Sequence, residues 1–196
     1  MDVAKKSPVL SGRLKARAAF SVNPIRTIEP KAKAPPALQS NVVSVDGMWR
    51  IENYVANHSV LIDKADMKSI VYIFKCIEST ITVGGKVTAI IIDNCKKCVI
   101  VMDTVIGFVE VLNSQTIKTH IQKQGIVSNI TVDNTDGCCM ELSPLSLGVQ
   151  VITSRATDMV VVFPRGNGEF ARKLIPDQFR TVISQDMLLV TTYCPK

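Results

Sequence analysis

From Trp49 onward the chain runs in short apolar stretches of five to seven residues, separated by Gly, Asn, Asp and Ser. Ile, Val and Thr dominate these stretches, and no long helical periodicity interrupts them, so they predict strands. The stretches also repeat. The turn tetrads Ile92-Asp93-Asn94-Cys95, Val111-Leu112-Asn113-Ser114, Val132-Asp133-Asn134-Thr135 and Ile152-Thr153-Ser154-Arg155 follow one another at spacings of 19, 21 and 20 residues. Asn tolerates the left-handed backbone that a sharp strand-to-strand turn demands, so three asparagines in one column predict an Asn ladder. A second column, Val83, Met102, Ile121 and Leu142, is spaced by 19, 19 and 21. Two residues earlier stand Ile81, Ile100, Thr119 and Met140, and two earlier again Ser79, Cys98, Ile117 and Cys138. Upward, Ile62 lies 19 before Ile81; downward, Val162 or Phe163 takes the next rung.

A repeat of about 20 residues describes a coil that cannot bury its inner face alone. Five or six such coils, stacked with parallel strands ~4.8 Å apart, enclose one aliphatic core. The expected fold is therefore all-β, a parallel β-helix. An antiparallel sandwich has turn signals at similar spacing, but it predicts no column of like residues at this interval. The last segment differs. Phe179–Ile183 and Met187–Thr192 flank Ser184-Gln185-Asp186 as a β-hairpin, apolar at Phe179, Val182, Ile183, Leu188, Leu189 and Val190. Such a hairpin needs its own coil or a second chain to cover it.

Charge marks a boundary. Residues 1–40 hold eight basic and two acidic side chains, the whole of the net +6, while the rest holds fifteen of each. The expected organisation is a basic, Pro/Ala/Lys-rich tail over 1–45, the β-helix over 46–164, and a C-terminal extension with the hairpin over 165–196. The tail reads as a solvated linker; a nucleic-acid or acidic-surface binder is the rival reading. No stretch approaches the ~18–20 apolar residues of a membrane span, and the opening residues lack the apolar run of a secretory signal, so a cytoplasmic protein with six reduced cysteines is expected.

The candidate chemical sites are sparse. Cys95-Lys-Lys-Cys98 with Cys138-Cys139 invites a zinc reading, but Cys98 and Cys138 fall in one inward column two rungs apart, ~9–10 Å, so they read as core residues and no metal is expected. His58 and His120 have no nucleophile-elbow sequence beside them. Gly84-Gly85-Lys86 lacks the strand and helix of a P-loop and reads as a corner. Asp133-Asn-Thr-Asp-Gly137 reads as a turn rather than a calcium loop. Glu78, Asp103, Glu110 and Glu141 come one at a time, not as a catalytic pair. Neither catalytic residues nor a cofactor is expected.

Read in order, Trp49-Arg-Ile-Glu-Asn-Tyr54, Lys75-Cys76, Gly85-Lys86-Val87, Asp93-Asn-Cys95, Asn113-Ser114, Ile121-Gln122, Asp133-Asn-Thr-Asp-Gly-Cys138, Leu142-Ser143, Ser146-Leu147, Thr153-Ser154, Gly168-Glu169-Phe170 and Ile175-Pro-Asp-Gln-Phe179 resemble the C-terminal domain of cyclase-associated protein. The resemblance runs from about residue 46 to the end. It implies a right-handed parallel β-helix of about six coils and a homodimer that exchanges the C-terminal hairpin. It also implies binding to monomeric actin, preferring the ADP form, with faster exchange of ADP for ATP and a cytoskeletal location. Members also carry an N-terminal helical domain for which this chain has no room, so cyclase binding is not implied. The same coil family includes tubulin cofactor C, whose GTPase-activating members present Gln-x-Arg; here Gln122-Lys123-Gln124 takes that place, without the charged finger. A GTPase activator, or an actin binder that only sequesters monomers, is the alternative.

The residues expected to meet actin, an acidic partner by the same resemblance, are Lys75, Lys86, Lys96, Lys97, Lys118, Gln122 and Lys123, with Tyr193, Pro195 and Lys196 past the hairpin. Phe179, Val182, Ile183, Leu188 and Val190 are expected at the dimer interface.

Overall fold

Fully buried and partly exposed side chains alternate along the strands of the body, as in Ile70–Phe74 and Val99–Met102. The computed structural model describes residues 41–194. Its strands are β1 (Asn41–Val45), β2 (Met48–Glu52), β3 (Val60–Ile62), β4 (Ile70–Phe74), β5 (Thr80–Asp93), β6 (Val99–Leu112), β7 (Gln115–Ile121), β8 (Asn129–Asp133), β9 (Asp136–Glu141), β10 (Gln150–Ser154), β11 (Thr157–Gly166), β12 (Glu169–Leu174), β13 (Phe179–Ile183) and β14 (Leu189–Tyr193), with one 3-10 turn at Pro144–Ser146. Pro195, Lys196 and the basic tail up to Ser40 lie outside the described residues.

Two parallel ladders form the body. One runs through β2, β4, the second halves of β5 and β6, β8 and β10, in the register Ile51, Ile73, Ile92, Val111, Val132, Thr153. The other runs through β3, the first halves of β5 and β6, β7, β9 and β11, in the register Val60, Ile81, Ile100, Thr119, Met140, Val161. Each coil gives one strand to each ladder, and six coils stack. This is the parallel β-helix that the repeat predicts. Stacking like on like seals the interior: Ile51, Ile73, Ile92, Ile81, Ile100 and Met140 are all fully buried.

Thr119 breaks the second column. Its Oγ1 is buried and, among the described residues, has no hydrogen-bond partner. Thr119→Val keeps the shape and removes the desolvated hydroxyl, so it is expected to stabilise the fold by about 1 kcal/mol and to raise the melting temperature by about 3 °C. A lower melting temperature in a thermal scan would mean that the hydroxyl is satisfied.

Two details depart from the sequence reading, and a third decides between its two alternatives for the next rung. Ile62 pairs with Val83, not Ile81, because the link from Ile62 to Ile70 is two residues longer than that from Val83 to Ala89. A turn takes up the excess, with Ser69 Oγ donating to Asp66 Oδ1 at 2.7 Å. Thr153, not Ile152, pairs with Val132, which moves Arg155 into the asparagine column. Backbone bonding sets this register, with Asn134 N donating to Ser154 O at 3.0 Å. Val162 pairs with Glu141, so Phe163 continues the inward column after Leu142.

The ends also differ from expectation. β1 lies within the stretch assigned to the tail, yet it pairs antiparallel along the whole of β2. Residues 165–174 belong to the stack, because β12 pairs antiparallel with β11 along the lower edge of the second ladder. β13 and β14 form a separate two-stranded sheet, with Val182 opposite Val190. Its apolar side chains are uncovered: Phe179, Ile183 and Leu188 are 63%, 75% and 63% exposed.

Candidate functional site

Between the two ladders every coil turns a corner in four residues. The first is left-handed on each coil: Asn53, Lys75, Asn94, Asn113, Asn134 and Arg155 have φ of 62°, 52°, 54°, 46°, 48° and 47°. The fourth is left-handed too: Ala56, Glu78, Lys97, Thr116, Gly137 and Asp158 have φ of 51°, 48°, 53°, 54°, 75° and 49°. Between them lie one inward residue, such as Cys95 or Ser114, and one outward residue. The outward Ile77, Lys96 and Gln115 bridge from coil to coil. Inward hydroxyls hold the bend: Cys95 N donates to Ser114 Oγ at 3.1 Å, and Ser114 Oγ donates to Leu112 O at 2.6 Å.

Side chains tie the corners together. Asn134 Nδ2 donates to Asn113 Oδ1 at 2.8 Å, and Asn113 Nδ2 donates to Asp93 Oδ1 at 3.0 Å. The expected ladder thus ends on a carboxylate of the adjoining strand rather than on Asn94. Arg155 pairs with Asp133 and, with Ser154, holds that carboxyl below its ordinary range. Beside the ladder runs a shallow groove of about 440 Å³, lined by Lys96, Gln115, Asp136, Asn113, Asn134 and Arg155 among others.

The neighbouring outer face of the first ladder carries aromatic rings. Tyr72 and Phe74 stack with centroids 5.7 Å apart. The Arg50 guanidinium stands 5.8 Å over Tyr72, and Lys75 Nζ stands 4.9 Å over Phe74. Tyr72 OH donates to Asp93 Oδ2 at 3.0 Å; burial and this carboxylate raise the phenol above its ordinary value. The result is an edge of cation, aromatic and amide groups.

The expected actin-facing residues fall into separate groups. Lys75 and Lys96 are exposed at the corner. Lys97 is there too but pairs with Glu78 at 2.9 Å. Lys118 lies on the outer face of β7, bound to Glu141 Oε1 at 2.7 Å, and His120 Nδ1 lies 2.9 Å from Glu141 Oε2. Burial pushes the Glu141 carboxyl up, and these two partners more than offset it, holding it below the usual range. Lys123 lines a recess with His120 and Phe170. Gln122 is half-buried, its N–H donating to Met102 O at 2.8 Å and its carbonyl accepting from Gly125 N at 2.8 Å. Lys86 is exposed on the third side, after Gly85, whose φ is 79° and whose N–H donates to Asp103 Oδ2 at 2.8 Å. Tyr193 ends β14 and is exposed.

Arg50, Tyr72, Phe74 and Arg155 were not singled out from the sequence. Extending the repeat by one more interval of 21 would have found Arg155. The rings carry no signal of their own, since aromatic residues in strands are ordinarily core. Among the described residues no group of three or more His, Cys, Asp or Glu side chains is placed to hold a metal. No described helix is long and apolar enough to cross a membrane.

Residues 39–195 match the family model described as "Adenylate cyclase associated (CAP) C terminal". Adenylyl cyclase-associated protein 1 of Bos taurus is 36% identical over 173 residues, which is 88% of this chain and 35% of that protein. The Homo sapiens protein of the same name is 33% identical over 189 residues, 96% of this chain and 38% of that protein. The chain thus spans little more than a third of the length of these curated relatives. The crystal structure of cyclase-associated protein from Cryptosporidium parvum superposes with a TM-score of 0.75 at 26% identity, covering 80% of this chain and 96% of that one.

Proposed function

We propose that this chain, which belongs to the family of cyclase-associated protein C-terminal domains, binds monomeric actin through protein surface alone. It prefers the ADP form and speeds exchange of ADP for ATP, acting as a cytoplasmic, cytoskeleton-associated homodimer with neither cofactor nor covalent step. The observation that supports this most directly is the corner edge. Lys75 and Lys96 stand exposed beside the stacked rings and the amide ladder, on a rigid stack, which suits recognition of an acidic protein surface. A partner that holds an opened state of actin more tightly than the closed one accelerates nucleotide loss by that difference in affinity.

The test is release of a fluorescent nucleotide from monomeric actin. The intact chain is expected to accelerate release in a dose-dependent way. Lys75→Glu with Lys96→Glu is expected to cut that acceleration about tenfold, equivalent to about 1.4 kcal/mol of binding. Lys86→Glu, on another side of the coil, is expected to leave it unchanged. Binding without acceleration would identify a sequestering protein, and equal loss in both variants would remove the corner from the interface.

A further inference from the structure

One residue connects the two halves of the corner edge. Asp93 ends β5, in register between Phe74 above and Leu112 below, and is half-buried on the outer side of the first ladder. Its Oδ2 accepts from Tyr72 OH at 3.0 Å, and its Oδ1 accepts from Asn113 Nδ2 at 3.0 Å. Its backbone carbonyl accepts from Lys75 N at 3.2 Å, at the residue where the preceding coil turns left-handed. Asp93 thus reaches the aromatic half, the amide half and the turn that carries an exposed lysine, each through a different oxygen.

Each side-chain contact fixes something that the strands leave free. A tyrosine on a sheet face can swing about its side-chain torsions. The bond to Asp93 anchors the far end of the Tyr72 ring, and with it the stack on Phe74 and the seat of the Arg50 guanidinium. The amides need a direction. An asparagine side chain can offer either its oxygen or its nitrogen, so stacked amides alone have no preferred sense. An ionised carboxylate only accepts. It draws Asn113 Nδ2 toward itself, which turns Asn113 Oδ1 toward Asn134, and Asn134 answers with Nδ2 at 2.8 Å. The sense set at Asp93 therefore passes down two further coils. On the reading that this edge meets actin, we propose that Asp93 is the positioning residue of the interface, holding Tyr72 and the amide ladder in the arrangement that the partner meets.

Asparagine at position 93 keeps the shape of the side chain but replaces one accepting oxygen by an NH2 group. Facing Asn113, that group forces the Asn113 amide to turn over and reverses the amide ladder. Facing Tyr72, it forces the hydroxyl to accept where it now donates. Asp93→Asn therefore disturbs one half of the edge or the other without emptying the site, and Lys75 N keeps its bond to the backbone carbonyl.

Two readouts separate positioning from plain support of the stack. The first needs no actin. Burial and the Asp93 carboxylate raise the Tyr72 phenol. In the full chain with tyrosine labelled at Cζ for NMR, the Tyr72 signal is identified by its loss in Tyr72→Phe. Its ionisation is expected at lower pH in Asp93→Asn than in the parent chain. The second readout is nucleotide release from monomeric actin. Asp93→Asn is expected to cut the acceleration about fivefold in the parent chain. In a chain already carrying Tyr72→Phe and Asn113→Ala, the same change is expected to cut the residual acceleration no further, because the two groups that Asp93 positions are gone. A Tyr72 titration that stays in place, or release that Asp93→Asn leaves intact, would overturn the proposal. So would equal losses in the two backgrounds, which mark direct contact with actin or a general weakening of the coil. A parent chain that does not accelerate release would sink the actin reading instead, and the Tyr72 titration then decides the role of Asp93 by itself.

Discussion

Aspartate at both Val182 and Val190 is expected to turn the protein from a dimer into a particle of 21.4 kDa. The two valines face each other across the β13–β14 hairpin and are 42% and 44% exposed in the single chain. Around them Phe179, Ile183 and Leu188 are more exposed still. An apolar hairpin left this bare implies a cover, and in the single chain the stack does not supply it, because β13 and β14 pair only with each other. A second copy exchanging its own hairpin would bury each valine for about 1.5 kcal/mol or more. Two aspartates per chain would put four unpaired carboxylates in that interface, each costing several kcal/mol. Light scattering at micromolar concentration should show the change in mass. Thermal unfolding should show the β-helix melting close to the parent value at low concentration. A parent chain that is already monomeric, or a variant that stays dimeric, would exclude the hairpin as the interface.

Gly125→Ala is expected to cost about 2–3 kcal/mol in folding free energy, whereas Gly148→Ala should cost nothing measurable. A β-carbon on Gly125 would lie 2.3 Å from Asp103 O and 2.9 Å from Ile121 Cγ2. The first is backbone held in β6, so relief requires moving a ladder strand. Gly125 O also accepts from Ser143 Oγ at 2.6 Å, and Ser146 Oγ accepts from Val127 N at 2.9 Å, so the displacement would disturb a buried polar link between coils. Gly148 has no atom within 4 Å of the same position. Urea unfolding of the two variants separates steric exclusion from the general effect of replacing glycine. Equal midpoints would mean that the loop at Gly125 yields freely.

The repeat was readable because stacking places the same chemical demand on every coil. The columns headed by Ile81 and Val83 keep their inferred order over the central coils, where the link on the third side is short. The reading slipped where side chains were used to judge what the backbone decides. Arg155 holds the position of Asn134 one coil later, with a φ of 47°, although nothing about arginine predicts a left-handed residue. β1 was hidden because Asn41–Val45 is a single short alternation beside a proline-rich run. The lysines were legible as exposed groups, but their division among the sides of the coil was not, since that depends on how many residues each coil spends on its third side. Tyr72 and Phe74 were passed over for a similar reason: only the register shows that they point outward.

The two antiparallel strands, β1 above and β12 below, have a consequence for assembly. A parallel stack has no natural length, because each new coil satisfies one edge and exposes an identical one. A bare upper or lower rung would therefore template a rung from another molecule, and molecules joined in this way would grow into a fibre. β1 reverses direction at the upper edge of the first ladder and β12 at the lower edge of the second, and their outward sides no longer offer the parallel pattern that the next coil requires. Growth through those two edges is thereby blocked, and a second copy exchanging the hairpin would join without propagating.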